Sequence, residues 1–132
     1  MKKILSLFSL FVVAVFAAEV PKITPQDAAA LVTAGKAVLI DVREPAEWAE
    51  SGVAAPAVLL PKSDFDGDQK LWKDFLAKSG DKQLILYCRS GHRAGVVGAA
   101  LAGKGLRTAT AGGFKDWEAA GLPTRKVEAA KP

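Results

Sequence analysis

Two short apolar runs, residues 37–42 (AVLIDV) and 83–87 (QLILY), leave this chain few architectures to choose from. Neither alternates hydrophobic with polar side chains, so each suits a strand covered on both faces. Segments of helical character lie around them. Thr24-Pro25-Gln26-Asp27 opens a helix over 25–33, with Thr24 able to cap, Pro25 suited to the first position and Asp27 placed to answer the cap. Pro45 starts a short helix over 45–50 that carries Trp48. Leu71, Trp72, Phe75 and Leu76 recur at helical spacing before Gly80, and residues 94–101 (AGVVGAAL) read as a further helix ending near Gly103 or Gly105. Residues 57–60, stopped by Pro61, and 107–110 read as strands, and 114–118 as a small helix ended by Gly121. Residues 52–56 and 111–113 read as turns, and 62–68 as a polar loop. Strands alternating with helices predict an α/β fold with a mostly parallel central sheet and helices on both faces.

The 132 residues are one domain's worth, and half of them are hydrophobic. Part of that fraction sits at the amino terminus. Met1-Lys2-Lys3 is basic, residues 4–16 are apolar apart from Ser6 and Ser9, and Ala17-Ala18 are small. That order predicts a secretory signal peptide over 1–18, a domain over 19–124 and a flexible tail over 125–132. The apolar run is short of the roughly 20 residues a membrane span needs, so no stable span is expected after cleavage, and the expected location is periplasmic or secreted. No cysteine follows the run to suggest a lipid anchor. Removing Lys2 and Lys3 leaves 16 basic against 14 acidic residues, a net +2. Charges of both signs interleave and aromatics are few, so nucleic acid is not an expected partner.

The chain's one cysteine lies in Tyr87-Cys88-Arg89-Ser90-Gly91-His92-Arg93-Ala94. A single cysteine cannot form an internal disulfide; it is a buried hydrophobe, an intermolecular partner or a reactive thiol. The flanking arginines and glycine argue against the first. The order strand, short loop, helix puts Cys88 at the carboxyl end of a strand, where ligands of such folds bind, facing a helix amino terminus. Free backbone N–H groups and the helix dipole there favour the thiolate, the nucleophilic form, with Arg89, His92 and Arg93 close by. A solvent-reachable nucleophile is expected.

Three segments together resemble the rhodanese sulfurtransferase family. Ile40-Asp41-Val42-Arg43-Glu44-Pro45-Ala46-Glu47-Trp48 is similar to its early segment and Cys88-Arg89-Ser90-Gly91-His92-Arg93-Ala94 to its active-site loop. Gly112-Gly113-Phe114-Lys115-Asp116-Trp117 with Gly121-Leu122-Pro123 is similar to its closing segment. They occur in family order across residues 23–124. The resemblance implies a rhodanese-like fold and a thiosulfate sulfurtransferase without a cofactor. Cys88 takes the outer sulfur of thiosulfate or a related donor as a persulfide. An outside thiol, cyanide or a protein cysteine removes it, in two covalent steps. Arg89, Ser90, Gly91, His92, Arg93 and Ala94 would bind the substrate, their backbone amides forming an anion cup and Arg89 and Arg93 holding the donor's oxyanion. One stretch departs from the family: Gly52-Val53-Ala54-Ala55-Pro56-Ala57 lacks a histidine and has its proline displaced by one place.

Related folds use the same geometry in cysteine phosphatases and some arsenate reductases, whose loops have five residues between cysteine and arginine. Here four residues separate Cys88 from Arg93, and a tighter cup suits one sulfur atom better than phosphate. A carrier or redox-interaction module that stores sulfur without turnover is the closer alternative. Asp41 and Arg43 read as a structural ion pair or turn cap, with Arg43 meeting Glu47 or another carboxylate, in preference to substrate-handling residues. Asp64-Phe65-Asp66-Gly67-Asp68 lacks the later oxygen ligands of a calcium loop and reads as a solvated loop with a helix cap. Trp48, Trp72 and Trp117 read as core or pocket wall. One histidine with one cysteine does not suggest a metal site, and no glycine-rich nucleotide motif follows a strand.

Overall fold

The computed structural model describes residues 20–129. The segment read as a signal peptide lies outside them, apart from which no described helix is long and apolar enough to cross a membrane.

Four parallel strands form the main sheet, in the order β3-β1-β4-β5, with β1 at Ala37–Asp41, β3 at Val58–Leu59, β4 at Gln83–Cys88 and β5 at Thr108–Gly113. β1 and β4, the two apolar runs, are its centre, paired from Ala37↔Gln83 to Asp41↔Tyr87. Parallel neighbours need crossovers, and α2 (Pro45–Ser51), α4 (Lys70–Lys78) and α5 (His92–Gly103) lie within them, while α1 (Pro25–Thr33) precedes β1 and α6 (Phe114–Ala119) follows β5. α1 begins as expected, with the Thr24 hydroxyl accepting the Asp27 N–H at 3.1 Å.

The pleat of β4 divides the core. Ile85 and Tyr87 face a cluster with Ala28, Leu39, Phe114 and Trp117. Leu84, Leu86 and Cys88 face the opposite cluster, with Ile40, Val97, Leu101 and Trp72. Trp72 and Trp117 are core residues, and Trp48 is buried as well.

Three local readings change. Residues 62–68 are not a loop: Lys62–Asp66 forms a short helix, α3, because Ser63 is anchored through its N–H and hydroxyl to the Glu44 carboxylate at 3.1 and 2.6 Å. Asp64 does cap a helix there, its Oδ2 accepting the N–H groups of Leu71 and Trp72 in the first turn of α4. Residues 53–54 are not a turn either. Val53–Ala54 (β2) pairs antiparallel with Thr124–Arg125 (β6) in a second, two-stranded sheet. Arg125, assigned to the tail by sequence, thus belongs to a strand, and its guanidinium donates to the carbonyls of Ala55 and Ala57 at 3.1 and 2.9 Å. Gly52 permits this approach: it has φ +78°, and a Cβ there would lie 2.7 Å from the Arg125 carbonyl oxygen.

Candidate functional site

The site is built where β4 ends and α5 begins. Cys88 is the last residue of β4, Arg89 and Ser90 turn the chain, and Gly91 caps α5 with φ +95° and ψ −15°. That left-handed backbone suits glycine, and it directs the Gly91 N–H at the Cys88 sulfur, 3.0 Å away. The Gly91 carbonyl then accepts the Gly95 N–H at 2.9 Å and starts the helix. The sulfur therefore meets a helix amino terminus, as the sequence order predicts. Of the loop's backbone amides, that of Gly91 is the one within bonding distance of it.

Cys88 itself has no exposed surface. This corrects the expectation of a solvent-reachable sulfur and has a plain cause. The strand runs one residue beyond Tyr87, so Cys88 follows the parity of Leu84 and Leu86 and turns inward with Ala94 and Val97. Ala94 is likewise fully buried beside it, whereas the Arg89, Ser90 and His92 side chains are exposed around the loop.

Arg93 is engaged by a carboxylate from another helix. Its guanidinium grips the Glu47 carboxylate of α2 with both nitrogens, Nη1 to Oε1 at 2.6 Å and Nη2 to Oε2 at 2.9 Å. The paired fork lowers the Glu47 carboxyl from 4.5 to about 2, against the opposing effect of partial burial and with help from the Glu44 N–H. The same bond raises Arg93 further above its ordinary value. Sequence reasoning missed this pairing, since it considered Glu47 as a partner for Arg43. Only an acid on a short helix marked it, 46 positions from its partner.

Arg43 has a different partner. Its Nε and Nη2 donate to the Asp41 carboxylate at 2.9–3.2 Å, and it also reaches Ser51 Oγ and the Gly52 carbonyl, each at 2.8 Å. Both members are buried, and the guanidinium lies over the Phe114 ring at 4.6 Å. Burial lowers the Arg43 pKa, but the bond and charge of Asp41 outweigh it and the net shift is upward. An ion pair forms as the sequence suggests, with Asp41 rather than Glu47 as the carboxylate. Tyr87 completes this cluster: its hydroxyl accepts the Ala54 N–H at 3.0 Å, and burial followed by the Asp41 charge pushes its ionisation well up.

The paired glycines 112 and 113 seat the loop on β5. A Cβ at Gly113 would lie 1.9 Å from the Arg89 carbonyl oxygen, so only glycine lets the two segments touch. The Asp116 carboxylate fixes this corner by accepting the Gly113 N–H at 2.8 Å. Two clefts flank the loop. One, of about 490 Å³, is bordered by Lys22, Ile23, Ser90, Gly91, His92 and Asp116. The other, of about 280 Å³, is bordered by Arg43, Glu47, Arg89, Phe114, Lys115 and Glu118.

The rhodanese-like domain model matches residues 24–120. No curated protein matches the sequence. Among solved structures, a polysulfide-sulfur transferase homodimer from Wolinella succinogenes is 26% identical, with TM-score 0.66 over 84% of this chain and 82% of that one. A rhodanese-related protein from Thermoplasma volcanium is 25% identical, with TM-score 0.65 over 80% and 97%. A protein of unknown function from Rhodopseudomonas palustris, described as a possible tyrosine phosphatase, is 25% identical, with TM-score 0.67 over 80% and 85%. The match spans the main sheet, the Cys88 loop and the glycine pair alike, and the chain belongs to the rhodanese-like domain family.

Proposed function

We propose that this chain is a sulfurtransferase that carries one sulfane sulfur on Cys88, taken from thiosulfate or a persulfide donor. The observation that best supports this reading is the Gly91 N–H directed at the Cys88 sulfur from the start of α5. A donor and a helix dipole converging on one sulfur favour negative charge there, on the thiolate before transfer and the persulfide after it. In the first step the Cys88 thiolate attacks the outer sulfur of thiosulfate. A new S–S bond forms, the bond within thiosulfate breaks, and sulfite departs with the electron pair. In the second, a thiolate, cyanide or protein cysteine attacks the outer sulfur of the persulfide and restores the Cys88 thiolate. Arg93 is held by Glu47, so its role in this scheme is to position the loop, and Arg89 is the guanidinium left to meet an oxyanion. With one cysteine in the chain, the acceptor is supplied from outside.

Mass spectrometry after thiosulfate treatment tests the reading: Cys88 is expected to gain one sulfur atom and lose it to cyanide. An unchanged mass, or thiocyanate production by the Cys88→Ser variant, overturns it. A second reading, a sulfur carrier without steady turnover, draws on the complete burial of Cys88. It predicts stoichiometric loading with no catalytic release of thiocyanate. Phosphatase chemistry, the more distant alternative, predicts phosphate release from an aryl phosphate that Cys88→Ser abolishes. We also propose that the chain is exported, which sequencing of the mature amino terminus near residue 19 tests.

A further inference from the structure

The larger cleft is unused by the donor half of that scheme, yet Ser90, Gly91 and His92 form one of its walls. Gly91 is also the residue whose N–H touches the Cys88 sulfur, so this cleft borders the residue that bonds the sulfur. Its volume of about 490 Å³ falls within the range of small-molecule sites. Two opposite charges border it from different parts of the chain: Lys22, just before α1, and Asp116 on α6. Asp116 uses Oδ2 to accept the Gly113 N–H, which leaves Oδ1 for a further donor. Ile23, Pro25 and Ala111 add apolar wall between them. A dianion such as thiosulfate gains from Lys22 but is repelled by Asp116. A ligand with its own cation and anion is suited to both.

We infer that this cleft is the acceptor site and selects a small thiol of the amino-acid type. The ligand's carboxylate meets Lys22, its ammonium meets Asp116, and its sulfur enters beside Gly91. The inference rests on the sulfurtransferase reading above. The thiol gives up its proton to solvent and its thiolate attacks the outer sulfur of the Cys88 persulfide. A persulfide forms on the amino acid, the S–S bond to Cys88 breaks, and its electron pair returns to Cys88.

Steady-state sulfur transfer from thiosulfate to L-cysteine, compared with transfer to cyanide, tests it. Cyanide is too small to need either charge. Lys22→Met removes the cation from an exposed position, and kcat/KM for cysteine relative to cyanide is expected to fall about five-fold, the effect of one exposed ion pair. The same variant is expected to lower transfer to 3-mercaptopropionate, which keeps the carboxylate, and to spare cysteamine, which lacks it. Asp116→Asn, which retains an oxygen for the Gly113 N–H, is expected to produce the reverse preference. An unchanged ratio of cysteine to cyanide in both variants, with normal thiocyanate production, overturns the acceptor site alone. Failure of the parent chain to load sulfur on Cys88 overturns the sulfurtransferase reading and this inference with it.

Discussion

Glu47 ties the start of α5 to α2, because its carboxylate fixes Arg93 from another helix. Its carboxyl titrates at about 2 in the folded chain and near 4.5 when unpaired. A depressed folded value means that the contribution to stability is complete above pH 4.5 and lost as pH falls toward 2. Glu47→Gln is therefore expected to cost about 1 kcal/mol at neutral pH, since the pair is partly exposed, and to converge with the parent in acid. Urea denaturation across that pH range checks it. The variant is also expected to load sulfur more slowly, with Arg93 released. Gly113→Ala gives a sharper test of loop seating: the added methyl must displace the Arg89 carbonyl, with an expected loss of about 1–3 kcal/mol and of sulfur loading. At this scale the sequence was partly legible. Cys88 and its helix terminus were readable from order alone, and Asp41 and Arg43 from the need of buried charges for partners. Glu47 with Arg93 was not, because a pairing across 46 positions depends on how two helices are set side by side.

Elements were more legible than their edges. The continuous apolar runs became the two central strands, and the Thr24 cap began α1, since such signals are local. What sequence reading lost was decided by tertiary contact. α3 is anchored by Glu44, and β2 exists only because β6 returns to pair with it. The fate of Cys88 belongs here too: counting the strand one residue further, by the alternation of Leu84 and Leu86, turns the sulfur inward. The link from β1 to α2 is held by the buried Asp41–Arg43 pair. Arg43→Met is expected to destabilise the fold by about 3–5 kcal/mol, because it strands the Asp41 charge in the interior. Thermal unfolding of that variant beside Asp41→Asn/Arg43→Met measures how far the loss comes from the orphaned carboxylate.

Across the whole molecule, one hydroxyl joins the two sheets. The Tyr87 OH on β4 accepts the buried N–H of Ala54 on β2, which leaves the four-stranded and two-stranded sheets sharing a polar contact inside the core. Tyr87→Phe is expected to lower stability by about 1–3 kcal/mol through an unsatisfied amide, with faster hydrogen exchange at Ala54 as the local signature. The sealed position of Cys88 carries a different consequence. A nucleophile lodged under one peptide group, with no surface of its own, is a poor target for bulky electrophiles. Iodoacetamide is expected to alkylate the native chain more slowly than the urea-unfolded one. Such shielding would set an upper limit on the size of reagent that the lone thiol meets.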